Sequence, residues 1–346
     1  MSNIKNLINK KQSIWLDSIS KQMIESGDLK NLIDAGITGV TSNPSIFEKA
    51  ISSSESYDKK IVDLSKKYSN AKDIFEEIAT DDIRNAADLF NLVYEDSSNN
   101  DGFVSLEVDP FLANDFEKTL SEARRLWNKV DRPNLMVKIP GTKAGIKATK
   151  LLLESGINVN VTLLFSFDSY KDTLESFIDS KNKNNKSKSV ASFFISRIDS
   201  ATDSLIDNKS KLFHKMAIIN AFKSYDLFLN NKEIMGKNFQ KLLWASTSVK
   251  AEDLKQEYYC YNLPLEDTIN TLPLETIDYL LKSEVLSSDN LEISKDFKSL
   301  YEDSKKDFDF EKITDSLLIN GIKLFQDSYN SVLKTIGQKI SKLVNK

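Results

Sequence analysis

Cysteine and histidine are almost missing from this chain. Its 346 residues include one cysteine, Cys260, and one histidine, His214. A lone thiol rules out an intramolecular disulfide and any zinc site built on two or four cysteines, which suits a reducing cytoplasm. A lone imidazole leaves acid–base chemistry mainly to carboxylates, lysines and tyrosines. No basic excess exists either. Lys and Arg number 47 against 51 Asp and Glu, a net charge of −4, and no Lys/Arg stripe marks a nucleic-acid face. No apolar run approaches the ~20 residues that span a bilayer. The opening stretch, MSNIKNLINKKQSIWLDS, interleaves apolar residues with Lys and Asn and lacks the hydrophobic region of a signal peptide. A soluble cytoplasmic protein is expected, with neither nucleic acid nor membrane as partner.

What is present is a repeat of short β-like runs, each followed by helical apolar spacing. Strands are predicted at 13–16, 37–41, 103–108, 135–139, 159–164, 190–195, 242–246 and 268–272. Between them, residues 144–154 and 168–179 have helical spacing, and 71–94 reads as one amphipathic helix or a pair. Eight strand–helix units argue for an α/β fold, a single closed (β/α)8 TIM barrel with additional helices at the termini; an open doubly wound sheet is the alternative. We expect one domain over 1–346. From about 290 the tail is helical, with Ile313, Leu317, Ile322, Phe325, Tyr329, Val332 and Ile336 near one face, a pattern that predicts a helix on the barrel exterior. The basic segment 181–189 (KNKNNKSKS) reads as a solvated loop.

In such barrels chemistry sits at the C-terminal strand ends. Those ends carry Asp17; Thr41, Ser42 and Asn43; Glu107 and Asp109; Lys138; Asn160 and Thr162; Ser192 and then Arg197; Ser246, Thr247 and Ser248; Asn270 and Thr271. Several have plain structural readings: Asp17 as a cap, Asn43 before Pro44 as a turn that opens a helix. Glu107 and Lys138 are different, because each lies in an apolar run where a charge needs a partner or a task. A lysine desolvated in a barrel mouth is disfavoured as the cation and becomes nucleophilic. Asp17 and Glu107 can move protons, and Arg197 with serines suits a phosphate. The stretch Gly141-Thr142-Lys143-Ala144-Gly145 lacks the ending of a nucleotide phosphate loop and is set aside.

These segments resemble the transaldolase family, in its longer bacterial branch. Ile37-Thr38-Gly39-Val40-Thr41-Ser42-Asn43-Pro44-Ser45-Ile46-Phe47 looks like its first signature, and Leu135-Met136-Val137-Lys138-Ile139-Pro140-Gly141-Thr142 resembles its active-site lysine segment. Matching patterns occur around Glu107, at 156–166, at 243–248, at 267–273 and in the tail. The resemblance implies a cofactor-free, metal-free transferase of aldehyde or ketone residues in the pentose phosphate pathway, acting on sugar phosphates as a monomer or homodimer. It implies that Lys138 forms a Schiff base, that Asp17 takes the C4 hydroxyl proton, and that Glu107 with Thr162 shuttles protons through a water. Thr41, Asn43 and Asn160 would hold the dihydroxyacetone hydroxyls, and Ser192, Arg197 and Ser246 the remaining hydroxyl and phosphate groups. One position departs from the best-known branch. Ser248 stands where an arginine often follows the seventh-strand serine by two residues, so the phosphate contacts are expected to fall on Arg197 and Lys250. A simple Schiff-base aldolase or an inactive binding barrel are the competing expectations.

Overall fold

Strands rich in branched apolar residues are stable when both faces are covered, as in a parallel barrel ringed by helices. All six residues of Leu135–Pro140 are buried, as are those of Val159–Leu164 and Ser189–Phe194. The computed structural model describes residues 3–283 and 291–344. It contains eight parallel strands: β1 (Ser13–Leu16), β2 (Gly39–Val40), β3 (Val104–Glu107), β4 (Leu135–Pro140), β5 (Val159–Leu164), β6 (Ser189–Phe194), β7 (Lys241–Ala245) and β8 (Ile269–Leu272). They close in chain order, with β8 paired back onto β1. The protein is therefore a (β/α)8 barrel with surrounding helices, and all eight expected strands are present. β2 is shorter than expected. Thr41 still donates its N–H to Leu16 O at 2.9 Å, but Asn43 then caps the helix Pro44–Ser52 and turns the chain away.

Helix starts follow local chemistry. The 71–94 stretch divides into Ala71–Leu89 and Asn91–Asp96. Phe167–Ser180 opens on a capping box made by Ser166 and Ser169. The Gly-Thr-Lys-Ala-Gly stretch proves to be the cap of Lys143–Glu154: Thr142 accepts from Gly145 N at 3.0 Å. A Cβ on Gly145 would lie 2.0 Å from Pro140 O, so only glycine lets this helix start so close to β4.

One expectation needs correction and another is extended. The 181–189 segment is only partly a solvated loop. Ser187 is buried, Ser189 begins β6, and Lys181 donates to Met235 O and, at 2.6 Å, to Asn238 O. The ammonium thereby serves the orphan carbonyl at the end of the helix Met216–Met235. The tail also does more than coat the outside. Its helix Phe310–Val344 packs on Pro44–Ser52, Asp58–Ser65 and Ala71–Leu89 and touches β5. The expected stripe faces inward, with Ile322, Phe325, Tyr329, Val332 and Ile336 all buried. At Gly321 an added Cβ would come within 2.9 Å of Leu163 Cδ2 and 3.6 Å of Arg197 Nη1, which marks a close approach to the barrel mouth. The boundary near 290 falls outside the described residues. No described helix is long and apolar enough to cross a membrane.

Candidate active site

Parallel register sets the centre of the site. Lys138 on β4 is aligned with Glu107 on β3 and with Asn160 on β5, so three polar side chains share one level of the barrel. The Lys138 and Glu107 side chains are 5% and 3% exposed, and Nζ lies 3.3 Å from Oε2. Nζ also donates to Ser42 O at 2.9 Å, and it sits 5.6 Å from the Phe325 ring centroid. Apart from this ion pair, neither Glu107 oxygen has a hydrogen-bond partner among the described residues, and the nearby buried Thr162 hydroxyl has none either. Buried polar atoms left this way are costly. Burial raises the Glu107 carboxyl to about 7, against the opposing pull of the Lys138 charge.

Asp17 follows β1 directly. Its N–H donates to Leu272 O at 2.8 Å, and its Oδ1 accepts from Thr41 Oγ1 at 2.7 Å. Thr41 in turn meets Thr271 Oγ1 at 2.7 Å. Burial raises the Asp17 pKa, while the Lys138 charge, the Thr41 hydrogen bond and the Arg197 charge pull it down. Asn160 is fixed from both sides, donating to Ser105 Oγ at 3.0 Å and accepting from Ser192 Oγ at 2.6 Å. Arg197, on the helix Ser196–Asp203, lies over the Phe194 ring at 5.3 Å. Its pKa is lowered by burial, with the Asp17 charge opposing. Ser246, just past β7, has a left-handed backbone (φ 54°) and receives Ser196 N–H on its carbonyl at 3.0 Å. Leu163, also left-handed (φ 60°), lies in a register shift between β5 and β6. Bulges of this kind commonly re-aim side chains beside active sites.

A cavity of about 120 Å³ gathers Asp17, Thr41, Asn43, Lys138, Thr162, Ser192, Arg197 and Ser246. Of the ten residues to which the resemblance gives roles, Glu107 and Asn160 alone do not line this cavity, each being in contact with a residue that does. Asn43 keeps its capping role as well, accepting from Ile46 N at 3.1 Å. Asp109 is structural: it caps the turn Pro110–Leu112 and pairs with Lys72 at 2.6 Å. A broad groove of about 1040 Å³ continues outward past Asp17, Asn43 and Ser248 to Lys49 and Lys250. Phe194 and Phe325 also line the cavity and were missed in the sequence. Phe194 follows Ser192 by two, so strand alternation puts it on the same face. Phe325 gave no signal beyond its place in an apolar stripe.

Fold and site together define the class: a (β/α)8-barrel enzyme with a lysine–glutamate pair buried beside the cavity at its mouth. The chain belongs to the family described as Transaldolase/Fructose-6-phosphate aldolase, whose sequence model matches residues 14–336. Among similar proteins, the transaldolase of Trichodesmium erythraeum is 38% identical, with 96% of each chain covered. That of Mycobacterium tuberculosis is 35% identical with 93% of each covered, and that of Saccharopolyspora erythraea 37% with 98%.

Proposed function

We propose that this chain is a transaldolase. It moves a dihydroxyacetone unit from a ketose phosphate (sedoheptulose 7-phosphate or fructose 6-phosphate) to an aldose phosphate (glyceraldehyde 3-phosphate or erythrose 4-phosphate). The step belongs to the non-oxidative pentose phosphate pathway in the cytoplasm. The observation that carries the mechanism is the buried Lys138–Glu107 pair with Asp17 on the wall of the same cavity.

The lysine Nζ attacks the ketose C2 carbonyl. Glu107, with its carboxyl raised to about 7, first takes a proton from the ammonium to free the amine; after attack a second N–H proton passes to the C2 oxygen, and Glu107 returns its proton to the resulting hydroxyl, which leaves as water and yields an iminium. Glu107 and the unpartnered Thr162 hydroxyl together offer two acceptors and a donor to a water that relays these protons. Asp17 removes the proton from the C4 hydroxyl. The C3–C4 electron pair then moves into the iminium, and an aldose phosphate leaves. The bound enamine attacks the aldehyde of the second aldose, Asp17 returns its proton, and water releases the product. Thr41, Asn43 and Asn160 orient the dihydroxyacetone hydroxyls. Ser192, Ser246 and Arg197 face the distal hydroxyls and the phosphate, with Lys250 further out in the groove.

Incubation with fructose 6-phosphate followed by borohydride should leave one covalent adduct per chain, and Lys138→Ala should leave none. An adduct formed by the folded Lys138→Ala protein refutes the assignment. With erythrose 4-phosphate present, sedoheptulose 7-phosphate should be the main product. Free dihydroxyacetone as main product would instead make the enzyme a simple aldolase.

A further inference from the structure

The opposite end of the barrel, under the N-terminal ends of the strands, holds a second cavity of about 250 Å³. Phe103, Met136, Val190 and Ile269 form its apolar floor, and Lys188, Lys237 and Lys241 reach its rim. Lys188 belongs to the basic 181–189 segment, which the proposed reaction does not use. Lys188 Nζ donates to Asn100 Oδ1 at 2.8 Å, and Lys241 Nζ donates to the same residue's backbone oxygen at 3.1 Å. Two half-buried ammonium groups are thus gathered on one neutral residue.

Neither they nor the exposed Lys237 has a carboxylate within ion-pair distance among the described residues. Asp267, the one carboxylate on the cavity wall, is already paired with Lys232. The Lys188 pKa is lowered, first by burial and then by the charges of Lys241 and Lys181. In a chain with more acids than bases, Lys188 and Lys241, with Lys237 lining the same cavity, are an unspent electrostatic resource: the Lys241 charge already disfavours the Lys188 cation, and an anion between the two relieves that repulsion.

We propose that this basal cavity is a binding site for a compact phosphorylated anion of two or more negative charges, held by Lys188, Lys241 and Lys237 at the end of the barrel remote from Lys138. Lys188 and Lys241 turn from Asn100 to the phosphoryl oxygens, and Lys237 closes the open side.

Calorimetric titration of the full chain with inorganic pyrophosphate at low ionic strength tests this. The double variant Lys188→Gln/Lys241→Gln should bind at least about ten-fold more weakly than wild type, since charge-assisted contacts dominate such sites, and should keep its transfer activity. Without pyrophosphate its melting temperature should equal or exceed that of wild type, because repulsion has been removed. The rise that pyrophosphate gives the wild type should vanish. Equal affinity in both proteins would put the anion elsewhere, the catalytic cavity included, and overturn the proposal. So would absent binding to wild type, or a lower melting temperature for the unliganded variant, which would make the lysines structural struts for Asn100. Should the double variant fail to fold, Lys237→Gln decides, because its side chain is exposed and makes no ion pair among the described residues: a several-fold loss of affinity supports the site, and no loss refutes it.

Discussion

Glu107 is the carboxyl to which the proposed mechanism gives the protons of Schiff-base formation. Raised to about 7 by burial, it changes charge in the range where a general base is most useful. As a base it must be ionised, so kcat/KM should fall below about pH 7, and Glu107→Gln should lose that acid limb along with roughly 10²–10⁴-fold of the rate. A pH–rate profile unchanged in the variant would remove Glu107 from the mechanism. Thr162 offers a sharper separation of function from stability. Its buried hydroxyl has no protein partner, so the isosteric Thr162→Val should leave the urea midpoint unchanged or slightly raised, because an unsatisfied polar atom is lost. At the same time kcat should drop about ten-fold or more. A stability loss without a kcat effect would make the hydroxyl structural. At this scale the sequence was most readable where chemistry and surroundings conflicted. Lys138 and Glu107 stood out as charges in apolar strands, and their partnership followed once β3 and β4 were seen in register. Phe194 was passed over because an aromatic in a strand raises no such conflict, and the Ser42 carbonyl that accepts from Lys138 has no side-chain signature at all.

Among the elements, the helix Phe310–Val344 changes the site most. Through Phe325 it brings an aromatic ring to the cavity beside Nζ, where it would keep bulk water from the enamine of the proposed mechanism. Truncation in Phe325→Ala should cost about 3 kcal/mol of stability. Its more telling effect should be on partition: the ratio of free dihydroxyacetone to transferred product should rise several-fold, measured with saturating erythrose 4-phosphate. An unchanged ratio would reduce the ring to packing. The stripe on this helix was legible, since periodicity identifies the face that is buried. What that face covers was not, because the distance from residue 325 to β4 along the chain leaves no local pattern connecting them. The same holds for the 181–189 segment, whose polarity suggested solvent while Lys181 and Lys188 were bound to Asn238 and Asn100.

For the whole molecule, stability should depend on pH in an unusual direction. Asp82 is raised to about 6 and Asp199 to about 7, both chiefly by burial, and Glu107 adds to them. A carboxyl with a raised folded pKa binds its proton more tightly when folded. Its contribution is complete below the unfolded value near 4 and is lost as pH rises through 6 to 7. The upper bound is about 3 kcal/mol for Asp82 and about 4 kcal/mol for Asp199, less where pairing compensates. Carboxylates lowered by partners, such as Asp303 at about 2, oppose this only at lower pH. The urea midpoint should therefore be higher at pH 5 than at pH 8, and Asp199→Asn should flatten the difference; a flat or rising midpoint in wild type would contradict it. The barrel itself was readable because eight apolar runs each need cover on two sides, and closure in chain order is the simplest way to supply it. The order of the elements has one more outcome, in the time course of synthesis. The strand that completes the barrel ends at Leu272, yet Phe325 comes later in the chain. On the ribosome, where domains fold as they emerge at roughly 5–20 residues per second, the barrel is complete for some seconds before its aromatic cover exists. During that interval Lys138 has no Phe325 ring beside it, and the proposed Schiff-base intermediate would lack its aromatic shelter.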